Sequence, residues 1–193
     1  FRRGRGVHAA HPGVMMTTVL QGLPAQTRGD CQVLVLGSMP GMASLDAAQY
    51  YAHPRNRFWP LLGVLCGFSP SPEYAHRRRQ AQDAGVGLWD VIGQCRRRGS
   101  LDSAIERGSE VPNALAELMS GLPGLRGVAC NGASAAQAYA RWIAPGLPAA
   151  LAALPVLALP STSPANAAMT LPRLVQAWSP LQGWLASSAQ LRP

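Results

Sequence analysis

"LGSMPGMASLDAAQYYAHPRNRFWPLL", residues 36–62, decides how the chain is read. An apolar run ends at Leu36 and gives way at once to Gly37-Ser38-Met39-Pro40-Gly41. Apolar residues cut off by Gly and Pro predict a buried strand followed by a tight turn. Such a turn sets bare backbone at the strand's carboxyl end, where a ligand can come close and a helix start can offer N–H groups. A purely structural turn has the same sequence. Tyr50-Tyr51, His53-Pro54 and Asn56 between Arg55 and Arg57 come next. Phe58, Leu61, Leu62 and Leu65 then form a helical stripe, with Pro60 tolerable in the first turn and Gly67 as the stop.

Outward from this segment, four apolar runs read as buried strands: Gln32–Leu36, Val86–Val91, Gly127–Cys130 and Pro155–Leu159. None alternates cleanly, as expected of a parallel sheet covered on both faces. Helical patterns lie between them. One starts at Ser71-Pro72-Glu73 and ends near Gly85; others span Pro112–Met119, Ala133–Ile143 and Thr170–Leu185. The last has Leu174, Trp178, Leu181 and Leu185 on one face and a kink expected at Pro180. Ala144–Leu154 reads as a connecting loop. The expected fold class is α/β: a three-layer α/β/α sandwich around a central four-stranded parallel sheet.

Ligands of such sheets bind beyond the carboxyl ends of the strands. All four runs end there in residues poorly suited to plain packing: Gly37–Gly41, Trp89-Asp90, Asn131-Gly132 and Pro160–Asn166. Their convergence on one rim is the strongest pointer to a single site.

Composition bounds the rest. The chain has 193 residues and is 48% apolar, enough for one domain with a substantial core. Residues 1–14 are Arg- and Gly-rich without an acid and read as a disordered basic tail ahead of a single domain over 15–193. No run is long enough to span a membrane. Seventeen basic residues, all Arg, stand against nine acidic ones, for a net charge of +8. That balance suits a polyanionic partner, since Arg pairs with phosphate through a planar fork. The triplets Arg77–Arg79 and Arg96–Arg98 could line a nucleic-acid track or be solvated surface charge. Cys31, Cys66, Cys95 and Cys130 contain no C-x-x-C pair and read as reduced thiols of a cytosolic protein. G-x-G-x-x-G, Walker and G-x-S-x-G sequences are absent, and metal or paired-carboxylate hydrolysis finds no support. Neither a metal nor a cofactor is expected.

Gly-Ser-Met-Pro-Gly, Tyr-Tyr-Ala-His-Pro-Arg-Asn-Arg-Phe-Trp and Leu-Pro-Ser-Thr-Ser-Pro-Ala-Asn, in this order, resemble the uracil-DNA glycosylase superfamily, and in particular its hypoxanthine-DNA glycosylase branch. The likeness runs over residues 18–185 and includes "GVGLWDVIGQCRRRGSLDSAI" at 85–105. It implies a monofunctional DNA glycosylase of base excision repair that works on DNA as a monomer, in the cytoplasm at the nucleoid. The absence of lysine leaves no side-chain amine for a lyase step.

By the same resemblance the base pocket involves Gly37, Ser38, Met39, Pro40, Tyr51, Asp90 and Asn131. Related mismatch-specific enzymes carry a water-positioning Asn where Met39 stands, and Met has no hydrogen-bonding power for that task. The catalytic amide then falls to Asn56, which could equally cap the helix that follows. Tyr51 takes the place of a ring stacked on the flipped base, or is simply core. Asp90 could read an imino N–H of the base or pair with Arg96–Arg98. Asn131 could contact the base edge or close a turn. His53 could reach a phosphate, but an ordering role beside Pro54 is preferred. Ser161, Thr162, Ser163, Pro164, Ala165 and Asn166 match a loop that pinches phosphates and wedges into the gap left by the base; a rigid turn would look alike. A nucleoside hydrolase and a noncatalytic nucleic-acid-binding module are the competing classes.

Overall fold

Four parallel strands in the order β3-β2-β6-β7 form the centre of the molecule: β2 (Val33–Gly37), β3 (Val86–Asp90), β6 (Gly127–Asn131) and β7 (Val156–Leu159). This computed structural model describes residues 18–185, so the basic tail expected over 1–14 lies outside the described residues. Side chains of β2 alternate between two cores. Val33 and Val35 face one with Phe58, Leu62, Leu174 and Trp178, while Leu34 and Leu36 face the other with Leu115, Met119 and Tyr139. Helices α2 (Phe58–Cys66), α3 (Tyr74–Asp83) and α7 (Leu171–Trp178) cover the first face. Helices α4 (Leu115–Ser120) and α5 (Ala133–Ala138) cover the second. The expected three-layer α/β/α fold is what forms. Burial on both faces explains why the strands read as continuous apolar runs.

A second, smaller sheet was not legible in the sequence. Strands β1 (Val19–Gln21), β4 (Ile92–Arg96) and β5 (Val111–Pro112) pair antiparallel in the order β1-β4-β5. Two of them are only two or three residues long, too short for an alternation signal. Val111–Pro112 therefore lies in a strand, and the helix expected from Pro112 begins at Leu115. The region Ala144–Leu154, expected as a loop, holds a 3₁₀ turn (Ala144–Gly146) and helix α6 (Ala149–Ala152). Its prolines sit in first-turn or capping positions, where a missing N–H costs nothing.

Several expected stops are present. Gly67 and Gly85, at φ of +73° and +81°, end α2 and follow α3 in the left-handed region that glycine enters freely. Past α5 the backbone widens into a π turn over Tyr139–Ile143. Past α7 it tightens to 3₁₀ over Ser179–Trp184, where Pro180 removes an α-helical donor.

The last helix also positions the loop after β7. Trp178 is fully buried, meets Phe58 edge-on with centroids 6.4 Å apart, and its Nε1–H donates to the Pro160 carbonyl at 3.0 Å. Trp178→Ala is expected to lower stability by about 3–5 kcal/mol, read from urea denaturation. A loss near zero would mean that this core does not anchor the loop.

Candidate active site

The carboxyl ends of the four strands converge on one open cavity of about 180 Å³. That is small beside the ~300–1,000 Å³ clefts that hold drug-sized ligands. Parallel register places Gly37 of β2 directly beside Asp90 of β3. A Cβ on Gly37 would lie 2.4 Å from Asp90 Oδ1 and 3.8 Å from the Tyr51 hydroxyl. Glycine is required here because the Asp90 carboxyl fills the space a side chain would take.

Asp90 is buried, and its Oδ2 has no hydrogen-bond partner among the described residues. Burial pushes the carboxyl up to about 7. The Tyr50 hydroxyl and Arg97 pull it down, and the Asp102 charge adds to the rise. The ion pair with the arginine triplet that the sequence left open does not form. Arg97 turns instead to Asp102, 3.9 Å away.

The two arginine triplets are not uniform outward rows. The Arg97 side chain is fully enclosed and its guanidinium donates to the Met39 and Pro40 carbonyls. It holds the Gly37–Gly41 turn from beneath. Arg77 donates to the Ser71 and Pro72 carbonyls and lies over the Trp59 ring at 5.4 Å, while Arg78 donates to Gln26. Arg96 is an exposed partner of Glu106 at 3.8 Å. Carbonyls, an amide and a ring thus partner several of these guanidinium groups.

Met39 lines the cavity, yet its side chain is buried against Ile92 and Cys95. Ser38 also lines the cavity, and its hydroxyl donates to Asp102 Oδ2 at 2.6 Å. Tyr51 stacks on Phe58 with ring centroids 3.8 Å apart and an interplanar angle of 26°. Its backbone is held at φ +55°, which is strained for a residue with a Cβ. Burial, then the Asp90 charge, raises the phenol, so Tyr51 stays protonated. Tyr50 is core: its hydroxyl donates to the Leu23 and Pro24 carbonyls.

Asn56 lines the cavity and closes the turn leading into α2, whose N-cap is Arg57, since its Oδ1 accepts the Phe58 N–H at 3.0 Å. That bond fixes which way the amide faces and leaves Nδ2 without a partner among the described residues. His53 orders the same turn: its Nδ1 accepts the Arg55 N–H and its carbonyl accepts the Asn56 N–H.

Asn131 lines the cavity and is tied to the loop after β7. Its Nδ2 donates to Thr162 Oγ1 and its Oδ1 accepts the Thr162 N–H, both at 2.9 Å. Thr162 is fully buried by this latch. Ser161, Ser163 and Pro164 reach the cavity, whereas Ala165 and Asn166 do not line it. The Ser161 and Ser163 oxygens accept the N–H groups of Ser163 and Ala165. Asn166 folds back, its Nδ2 donating to the Ser161 carbonyl. Arg57 completes the hold on this loop, with its guanidinium donating to carbonyls of Thr162, Ser163, Asn166 and Met169.

Ser44, Ser100 and Asp102 line the cavity as well, and no motif assigned them a role. Asp102 lies within the stretch 85–105 that carried part of the resemblance, and that was its one sequence signal. Among the described residues no three His, Cys, Asp or Glu side chains gather as metal ligands would. No described helix is long and apolar enough to cross a membrane.

The raised Asp90 carboxyl has a thermodynamic consequence. Between the unfolded value near ~4 and the folded value near 7, the native state holds the extra proton, so stability falls as pH rises through that window. Asp90→Asn removes this slope, worth a few kcal/mol at ~1.4 kcal/mol per pKa unit. The stability of the variant should therefore gain on the wild type from pH 4 to 7, measured by denaturant melts. Parallel pH profiles would show that the carboxyl is not held up by burial.

Comparison with known proteins agrees with this geometry. A profile of the uracil DNA glycosylase superfamily matches residues 24–182. The chain is 37% identical over 113 residues to a hypoxanthine DNA glycosylase of Methanosarcina barkeri, covering 58% of this chain and 70% of that one. It is 34% identical over 120 residues to the hypoxanthine DNA glycosylase of Methanosarcina acetivorans, covering 62% and 75%. A solution NMR structure from Methanosarcina acetivorans, of a protein provisionally assigned as a uracil DNA glycosylase, superposes with a TM-score of 0.71 at 29% identity. That match covers 86% of this chain and 97% of the other. A glycine-floored cavity at the strand ends, walled by a stacked tyrosine and two pinned loops, thus coincides with a family match across most of the chain: the protein belongs to the uracil DNA glycosylase superfamily.

Proposed function

We propose that this DNA glycosylase takes a deaminated base, hypoxanthine ahead of uracil, out of the DNA stack and hydrolyses its N-glycosidic bond to leave an abasic site. The observation that carries the reading is one small cavity in which Tyr51, Asp90 and Asn56 meet. The names of the Methanosarcina relatives support hypoxanthine as the leading substrate. The protein acts as a monomer on DNA in the cytoplasm.

Turning the nucleotide out costs a few kcal/mol, less at a mispair. Tyr51, backed by Phe58 at 3.8 Å, supplies a stacking platform worth ~1–3 kcal/mol for any base. Selection falls to Asp90. An ionised carboxylate accepts the N1–H of hypoxanthine or the N3–H of uracil, whereas adenine and cytosine present an unprotonated nitrogen there. Ser161 and Ser163, whose oxygens already accept backbone N–H groups, have hydroxyl protons to give to phosphates. Pro164 follows them to the cavity as the wedge.

When the bond breaks, its electron pair leaves with the base and the sugar becomes cationic. The amide of Asn56, already oriented by its bond to the Phe58 N–H, aims a water at the sugar carbon. Asn56→Ala should abolish base release while DNA binding stays within a few-fold, and Asp90→Ala should reorder the preferred lesions. Both are read from single-turnover assays on oligonucleotides carrying each lesion, with alkali exposing abasic sites. An unchanged rate removes Asn56 from the mechanism, and an unchanged ranking removes Asp90 from base reading. Unaltered DNA after long incubation would favour a binding module, and release from free inosine a nucleoside hydrolase.

A further inference from the structure

Two carboxyl groups line the cavity, and their surroundings differ. Asp90 is enclosed with one oxygen unpartnered. Asp102 begins a 3₁₀ turn (Asp102–Ala104) on the segment after the small sheet's central strand, and its side chain is 33% exposed. Its Oδ2 accepts the Ser38 hydroxyl at 2.6 Å and its Oδ1 lies 3.9 Å from Arg97. Arg97 is itself immobilised by the Met39 and Pro40 carbonyls. A fixed buried guanidinium and a hydroxyl donor hold the Asp102 carboxyl in place, and its exposed part can hold water.

Asn56 leaves two tasks to other groups. A carboxamide orients water but has no basicity with which to take its proton, and it carries no charge to set against a sugar cation. Ser38 lines the cavity, and while its hydroxyl donates a hydrogen bond to Asp102 its oxygen keeps lone pairs that can accept from the same water.

Resting on the glycosylase reading of this cavity, we infer that Asp102, held by Ser38, is the catalytic carboxylate that offsets the developing sugar cation and receives the proton of the attacking water. The water oxygen bonds to the sugar carbon as the bond to the base nitrogen breaks. One water proton passes to Asp102, and the electron pair of the broken bond leaves on the base. The acid formed at Asp102 returns that proton through solvent to the base anion. Water and N-glycoside thereby become abasic sugar and neutral base.

The test is single-turnover release of the lesion that the wild type excises fastest, beside affinity for DNA containing a tetrahydrofuran abasic analogue. Asp102→Asn keeps an acceptor for Ser38 and loses the charge. It should slow release about 100-fold while affinity for the analogue holds or tightens, one negative charge having left a surface that meets a polyanion. Asp102→Ala should regain rate with added formate. Ser38→Ala should slow release by roughly ten-fold at an unchanged melting temperature. A wild-type rate in Asp102→Asn, or a deficit in Asp102→Ala that formate leaves untouched, overturns the assignment while the glycosylase reading stands. A wild type that releases no base from any lesion overturns both.

Discussion

The loop from Ser161 to Met169 contains no helix or strand, yet its first part, Ser161 to Pro164, walls one side of the cavity. Two side chains hold it. Asn131 exchanges two hydrogen bonds with Thr162, and Arg57 spreads its guanidinium over four carbonyls of the loop. Hydrogen bonds to a charged donor contribute about 1.5–3 kcal/mol each, so these two side chains hold the loop in place. Arg57 sits between Asn56 and Phe58. The residue that ties down this loop is therefore covalently next to the proposed water-orienting amide and to the ring that backs Tyr51. Loop position and catalytic geometry share one anchor.

The opposite wall follows the same rule. Arg97 satisfies the carbonyls of Met39 and Pro40, and the Asp90 carboxyl occupies the space left by the missing side chain of Gly37. Between the walls the site separates two kinds of carboxyl group. One is deep and raised toward neutrality by burial; the other is partly open and held between a hydroxyl and an arginine. The two roles proposed for them, reading an imino proton and offsetting a sugar cation, rest on this difference in surroundings. Several arginines of the basic surface also have structural work, donating to carbonyls and lying over rings.

Much of this was legible in the sequence. Strands buried on both faces leave unbroken apolar runs, so β2, β3, β6 and β7 announced themselves, and the polar residues at their ends marked the rim. The small sheet did not, because β1 and β5 pair too few residues to impose a period. Arginine runs misled for a physical reason. Charge in sequence does not say which guanidinium will be enclosed by carbonyls, and the middle residue of Arg96–Arg98 is buried while its neighbour Arg96 is exposed. That Asn131 also latches the loop after β7 was not legible, since only the fold shows that Thr162 stands against it. Asp102 reaches the cavity through a turn with no repeating pattern.

The most direct measurement is a crystal structure of the protein on duplex DNA containing 2′-fluoroarabino-inosine, whose bond to the base resists cleavage. The account predicts the hypoxanthine ring turned out of the helix, lying on Tyr51 with its N1–H at Asp90, and the Ser161–Pro164 segment filling the gap. A base still stacked in the duplex, or DNA seated on another face of the molecule, would contradict it.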